Sequence, residues 1–90
     1  NLATALSNAI TQASFMSTTI SKLGTALRNE ALAQEQFNML QERGVLSGEA
    51  YDKAQQRLTL TQEKAAAVLN EVKIAQDSYN SAMERPNSKN

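Results

Sequence analysis

The sequence contains no cysteine, histidine or tryptophan. Without cysteine the chain forms no disulfide and offers no thiolate to a metal ion. Without histidine it builds neither a catalytic triad nor an ordinary zinc site. The acidic residues are spread along the charged part of the chain, as expected for solvated helix faces. We therefore predict no catalytic residue, no metal site, no cofactor and no enzymatic activity.

Charge of either sign is absent from the front of the chain, where the first charged side chain is that of Lys22. Basic and acidic residues number nine each, so no strong field draws the chain to nucleic acid or to an anionic membrane. Polar residues interrupt the apolar ones between Leu2 and Ile20, and we expect neither a signal peptide nor a membrane span. Contact with a membrane surface, and nucleic acid as transported cargo, are left open.

Apolar residues recur at heptad spacing from Leu2 to Leu27. One heptad position holds Leu2, Ala9, Met16 and Leu23, and the other holds Leu6, Ala13, Ile20 and Leu27. The steps alternate between four and three residues, which is the spacing of a coiled-coil seam. The oligomer seam predicted here consists of Leu6, Ala9, Ala13, Met16, Ile20, Leu23 and Leu27.

This seam weakens beyond Leu27. Glu30 and Gln34 hold the next two seam positions, whereas Ala33 and Phe37 continue an apolar stripe that is displaced by about one position. We interpret the displacement as a local phase shift, where the partner changes or the supercoil relaxes.

Small hydroxyl side chains cover the side of this helix away from the seam. This neutral face consists of Thr4, Thr11, Thr18, Thr25, Ser7, Ser14 and Ser21. A helix in water normally carries Glu, Lys and Arg there, and threonine is a poorer helix former. Three interpretations follow: the face lines or plugs a narrow tube, it meets another subunit through small side chains, or it is a mildly polar surface in water.

Stop and start signals for helices lie side by side in the middle of the chain. Gly44 suits the left-handed position after a helix C-terminus, and Ser47 suits the N-cap of the next helix. A short connection favours antiparallel neighbours, with a kink in one long rod as the alternative. We predict an all-α fold, an antiparallel helical hairpin over residues 1–85. Its parts are a helix at 2–43, a turn at 44–47, a helix at 48–85 and, from Pro86, a frayed tail at 86–90.

The second helix keeps a 3-4 alternation for its whole length, through Tyr51, Ala54, Leu58, Thr61, Ala65, Val68, Val72, Ala75, Tyr79 and Ala82. We assign Leu58, Val68, Val72 and Tyr79 to the predicted oligomer seam. A second apolar stripe holds Leu60, Ala67 and Ile74. Two stripes on one helix imply more than one packing partner. We therefore expect an oligomeric coiled coil or helical bundle, whose partners are copies of the chain or neighbouring helices of a larger assembly.

The stretch from Leu40 to Tyr51, LQERGVLSGEAY, resembles a turn of helical hairpins in bacterial oligomerisation domains and phage tape-measure proteins. It departs from that pattern at Gly48, where a helix-favouring residue is usual. The chain as a whole, rich in Ala, Gln, Asn, Ser and Thr, resembles phage DNA-delivery proteins of the tape-measure, internal-ejection and DNA-pilot kinds. That resemblance implies self-association in a virion, as a helical rod or tube through which the genome passes. No site residue is carried over from these families.

These observations lead us to expect a non-catalytic coiled-coil structural element for genome delivery. The alternative is a binding module. The second helix, with the alanines at 65–67 and the stretch Ala75-Gln76-Asp77, is similar in texture to the receptor-binding hairpins of colicin-like bacteriocins. A helical component of a secretion apparatus is a further form of the same alternative.

Overall fold

The computed structural model describes residues 1–88, with side chains for residues 1–84. This part of the chain contains two helices and no strand, α1 at Leu2–Glu42 and α2 at Glu49–Ser88. The predicted all-α helical hairpin is confirmed.

The two helices pack within two compact units. Unit 1 pairs Asn1–Leu23 with the part of α2 from Val68 onward, and unit 2 is Gly24–Ala67, which includes the turn. Each unit therefore contains a stretch of α1 and a stretch of α2.

Asn1 caps the start of α1. Its Oδ1 accepts a hydrogen bond from the backbone N–H of Thr4 at 2.8 Å, and its backbone carbonyl accepts one from the N–H of Ala5 at 2.9 Å. Asparagine is among the best N-cap residues because its side chain satisfies an N–H group that the first turn leaves without a helical partner. The first turn of α1 contains no acidic residue, so the side-chain acceptor for its N–H groups is the amide oxygen of Asn1.

A Schellman motif ends α1. The N–H of Val45 donates to the carbonyl of Leu40 at 2.8 Å, and the N–H of Gly44 donates to the carbonyl of Gln41 at 3.0 Å. The motif requires a left-handed residue directly after the helix, and Gly44 has a φ of 79°. The glycine thus has the conformation that the sequence predicts for it.

Gly48 is the N-cap of α2, in place of the predicted Ser47. Its carbonyl accepts the first helical hydrogen bond, from the N–H of Asp52 at 2.9 Å. The φ of Gly48 is 95°, a value that strains any residue with a Cβ. The helix consequently begins at Glu49 rather than at residue 48, with Glu49 and Asp52 in its first turn, where the helix dipole favours negative charge.

The backbone of α2 continues beyond Pro86, where the sequence predicts its end. The helix extends to Ser88. Proline has a fixed φ of about −65°, which is itself a helical value, so the last turn loses one N–H donor without leaving the helix. Of the tail predicted at 86–90, the part to Ser88 is helical, and Lys89 and Asn90 lie outside the described residues.

Small side chains form the core of unit 1. The buried residues are Ala9, Thr19, Val68 and Ala75. Alanine and valine let two helices approach closely, but they fill little volume. The core of the unit is therefore a narrow strip between the helices.

Unit 2 has a similar narrow core with one wider layer beside the turn. Its buried residues are Ala26, Ala33, Leu58 and Ala65. The rings of Phe37 and Tyr51 pack with their centroids 5.2 Å apart and their planes tilted by 45°, within the range that favours aromatic pairs. This layer fills the space where the chain begins to turn.

We expect Gly44→Ala to destabilise the hairpin by about 1–2 kcal/mol, because alanine disfavours a left-handed backbone. Gly24→Ala is the matched control. Gly24 lies inside α1, where an added Cβ would come no closer than 3.7 Å to Arg28 Nη1, and alanine should stabilise the helix by about 0.5–1 kcal/mol. Urea unfolding followed by circular dichroism measures both changes. Two changes of the same sign would contradict this account of the turn.

Candidate interaction surface

One stripe of α1 packs toward α2 and keeps an unbroken 3-4 spacing. This inner stripe consists of Ala5, Ala9, Gln12, Met16, Thr19 and Leu23 in unit 1, and of Ala26, Glu30, Ala33, Phe37 and Leu40 in unit 2. Every member is buried or half-buried. The predicted phase shift beyond Leu27 is therefore wrong, because the same spacing continues through Glu30 and Phe37. The apolar row that stops at Leu27 belongs to a different stripe.

A second stripe of α1 lies beside the inner stripe and is largely exposed. This outer stripe consists of Ala3, Leu6, Ile10, Ala13, Ser17, Ile20, Gly24, Leu27 and Ala31. Its large side chains are about half exposed or more: Leu6 60%, Ile10 62%, Ile20 51% and Leu27 49%. It has the same 3-4 spacing and contains no charged residue. Helix α1 thus carries two heptad seams, and the chain itself covers one of them.

The residues of the predicted oligomer seam on α1 are divided between these stripes. The inner stripe contains Ala9, Met16 and Leu23, and the outer stripe contains Leu6, Ala13, Ile20 and Leu27. The two rows resemble a single seam in the sequence because they are the most hydrophobic neighbours on the helix. In the structure the row of Ala9, Met16 and Leu23 alternates along the inner stripe with a different row. That row holds Ala5, Gln12, Thr19 and Ala26, whose smaller or more flexible side chains suit close helix contact.

The seam residues predicted on α2 all lie in the contact with α1. Leu58 and Val68 are buried, and Val72 and Tyr79 are half-buried. They pack inside the hairpin. The prediction that they also contribute to an oligomer stays a prediction.

Thr19 is a buried polar residue that sequence analysis missed. Its side chain is 1% exposed, and its Oγ1 donates to the carbonyl of Met16 at 2.9 Å. This bond to the preceding turn satisfies the hydroxyl inside its own helix, so Thr19 needs no polar partner on α2. A 3-4 count from Ala5 that ignored hydrophobicity would have found it.

An ion pair defines the two edges of unit 1. Lys22 Nζ lies 2.8 Å from Glu71 Oε1. The heptad positions that these two residues hold beside the core therefore lie on the same edge of the hairpin. The heptad position on the other side of the core is held by Leu6 and Ile20 on α1, and by Leu69 and Met83 on α2. Leu69 and Met83 are 43% and 48% exposed. The edge away from the ion pair therefore exposes large apolar side chains on both helices, with Gln76 between Leu69 and Met83 on α2.

The neutral face is exposed throughout: Thr4, Thr11, Thr18, Thr25, Ser7, Ser14 and Ser21. Two of its hydroxyls donate to their own helix, Thr11 Oγ1 to the carbonyl of Ser7 at 3.0 Å and Thr18 Oγ1 to that of Ser14 at 3.1 Å. A hydroxyl has one proton to donate. Thr11 and Thr18 therefore offer a neighbour methyl groups and acceptor oxygens.

Unit 2 contains an open groove with basic side chains at its margin. Met39 and Leu60 contribute apolar surface, and Arg43, Lys53 and Arg57 contribute positive charge. Lys53 is partly neutralised by Glu49, whose Oε1 lies 2.9 Å from Lys53 Nζ with both side chains exposed. This arrangement fits an anionic partner, but screening by solvent keeps its attraction small.

The described residues contain no group of histidine, cysteine, aspartate or glutamate side chains that could hold a metal ion. Neither helix is apolar enough over a sufficient length to cross a membrane, as judged on the same residues.

Comparison with known proteins finds no match to a protein-family model, to a curated protein or to a solved structure.

We expect Ala75→Leu to destabilise the hairpin by about 1–3 kcal/mol, because Ala75 is 0% exposed and a larger side chain must push the helices apart. Ala66→Leu adds the same atoms at an exposed position of α2 and should change stability by about 0.5 kcal/mol or less. Urea unfolding at one protein concentration compares the two variants. Equal losses would mean that the small-residue seam does not set the spacing of the helices.

Proposed function

We propose that this chain is a non-catalytic assembly element, a helical hairpin that packs against copies of itself or against neighbouring helices. The observation that supports the proposal is the amount of accessible surface, polar and apolar together, that the chain leaves uncovered. A compact monomer of 9.8 kDa exposes about 5,200 Å² by the usual scaling with mass, whereas the chain exposes 6569 Å². The surplus of roughly 1,400 Å² exceeds the 800 Å² or so that each partner buries in a standard protein interface.

The distribution of this surface also favours assembly. The exposed large apolar residues are Leu2, Leu6, Ile10, Phe15, Ile20, Leu27, Leu32, Met39, Leu46, Leu60, Leu69, Ile74 and Met83. Single exposed apolar residues are ordinary. Several of these, however, recur at heptad spacing along one helix, and such a row is the usual contact surface for another helix.

The setting that we propose is a phage virion, where the chain forms part of a rod or tube for genome delivery. The sequence resemblance to tape-measure, internal-ejection and DNA-pilot proteins suggests this setting. The neutral face agrees with it, because uncharged hydroxyls and methyl groups attract a passing polyanion only weakly. Nucleic acid would then be cargo, not a tightly bound ligand.

The second candidate is a binding module, such as a receptor-binding hairpin or a component of a secretion apparatus. The basic groove of unit 2 supports this alternative, because Arg43 and Arg57 border the apolar surface of Leu60. In this case the chain would act as a monomer that binds one acidic partner.

The assembly proposal predicts that the purified chain forms an oligomer and that Ile20→Asp lowers its mass. Ile20 is 51% exposed, so the hairpin itself should tolerate aspartate, whereas a charge buried in an interface without a partner costs about 3–5 kcal/mol. Multi-angle light scattering over a range of concentrations measures the mass, and circular dichroism verifies that the helices remain.

Asn29→Asp is the matched control for this experiment. Asn29 is exposed on the other side of α1, and the substitution adds the same charge, so the mass should remain that of the unaltered chain. A monomer at every concentration, with or without the substitutions, would refute self-association and favour the binding module.

A further inference from the structure

We infer that the unit 1 part of α1 pairs with the same part of a second copy of this chain, antiparallel, about a two-fold axis between Thr11 and Gln12. The contact uses only the six residues of the outer stripe that lie in unit 1: Ala3, Leu6, Ile10, Ala13, Ser17 and Ile20. This inference rests on the proposed assembly function and adds to it a surface, an occupant and a register.

The order of side-chain sizes makes this stretch complementary to itself. In a two-fold contact, facing residues lie equally far from the axis, one on each copy. Each large residue of the stretch then faces a small one, in the pairs Ile10 with Ala13, Leu6 with Ser17, and Ile20 with Ala3. Every layer of the contact thus holds one large and one small side chain. Layers of equal size pack evenly and keep two helices at one separation.

Other alignments of the same two stretches leave unequal layers. A parallel alignment in register places Ile10 opposite Ile10 and Ala13 opposite Ala13. An antiparallel alignment shifted by one heptad places Leu6 opposite Ile10, and a shift the other way places Ile20 opposite Ile10. Each of these combines crowded layers with gaps, and both overpacking and cavities are destabilising. The register about Thr11 and Gln12 avoids both.

The spacing of the stretch specifies a helix as the occupant. Its steps alternate between three and four residues from Ala3 to Ile20, and this alternation fits the knobs of one helix into the holes of another. The large side chains of Leu6, Ile10 and Ile20 are each more than half exposed, so the hairpin leaves the knobs available. A second copy of α1 supplies a helix with the same repeat.

The charge pattern favours a second copy over an acidic or basic helix. The stretch has no charged residue, and the neutral face that borders it contributes Ser7 and Ser14, which take up little room beside the contact. Lys22 lies on the other edge of unit 1, where it pairs with Glu71. A charged partner would bury its charges here without counterparts, which is costly, whereas an identical stretch brings none.

The absence of native cysteine allows a direct test by mixing single-cysteine variants. Leu6→Cys and Ser17→Cys, one of them with a tag that changes its size, are unfolded together under reducing conditions, refolded and mildly oxidised. They should form a mixed disulfide dimer on a non-reducing gel, because facing residues bring their Cβ atoms closest to the separation of about 3.5–4.5 Å that a disulfide needs. Thr18→Cys replaces Ser17→Cys in the matched control, and the mixed dimer should then be at least about tenfold less abundant.

Leu6→Cys by itself tests the orientation. In the antiparallel register, position 6 of one copy lies about 16 Å along the helices from position 6 of the other, because each residue advances a helix by about 1.5 Å. Little homodimer should therefore form, and efficient cross-linking of Leu6→Cys with itself would overturn the antiparallel arrangement. Equal cross-linking of Leu6→Cys to Ser17→Cys and to Thr18→Cys would overturn the outer stripe as the contact.

An exchange of residues in the central layer tests the size complementarity. Ile10→Ala should raise the dimer Kd at least about tenfold, because the facing alanine then leaves a cavity. Addition of Ala13→Ile restores one isoleucine and one alanine to the layer, and the Kd should return to within about threefold of that of the unaltered chain. Circular dichroism verifies that both variants keep their helices. A double variant that dimerises no better than Ile10→Ala would refute the pairing of these two positions.

Light scattering on the unaltered chain separates failure of this inference from failure of the proposed function. If the chain is an oligomer and Leu6→Cys does not cross-link preferentially to Ser17→Cys, assembly stands and this contact is refuted. If the chain is a monomer at every concentration, self-association and this inference are refuted together.

Discussion

The close packing of α1 against α2 through small side chains is the constraint on which the rest of the molecule depends. Ala9, Ala75 and Val68 are buried at the contact in unit 1, and alanines occupy the corresponding places in unit 2. Such a contact brings two backbones together but is narrow, and the largest fully buried side chains are only Val68 and Thr19. Leu58 is the only leucine or isoleucine buried among the described residues, because a bulkier side chain at most of these places would separate the helices. Leu6, Ile10, Ile20 and Leu27 remain exposed on the outer stripe.

Threonine hydroxyls inside this narrow contact are satisfied within their own helices. Thr19 donates to the carbonyl of Met16, and Thr61 donates to those of Arg57 and Leu58 at 3.0 Å and 2.9 Å. No buried side-chain nitrogen or oxygen among the described side chains lacks a hydrogen-bond partner. These hydroxyls therefore need no partner on the facing helix, and the ion pair of Lys22 and Glu71 is the polar contact between the helices at the edge of unit 1.

Sequence reasoning predicted the hairpin well because its signals are local. The glycine of the turn and the 3-4 alternation of α2 depend only on backbone conformation and helical period, and neither requires knowledge of the partner. The seam of α1 was harder, because the helix has two stripes with the same spacing and the more hydrophobic row, with Leu6 and Ile20, is the exposed one. A rule that places the most hydrophobic residues inside fails where close approach selects alanine and threonine. The end of α2 was misplaced for a related reason: the backbone angle of Pro86 is compatible with a final helical turn.

The proposed assembly would use the two edges of the hairpin differently. In unit 1 the edge with Leu6 and Ile20 has no charged residue on α1, whereas the opposite edge carries the pair of Lys22 and Glu71. A two-fold contact along one edge closes on itself and stops at a dimer. The stripe of Leu60, Ala67 and Ile74 on α2 is exposed and lies outside that contact. Growth beyond a dimer would then need this second stripe. This need would explain why a chain this small has apolar stripes on both helices.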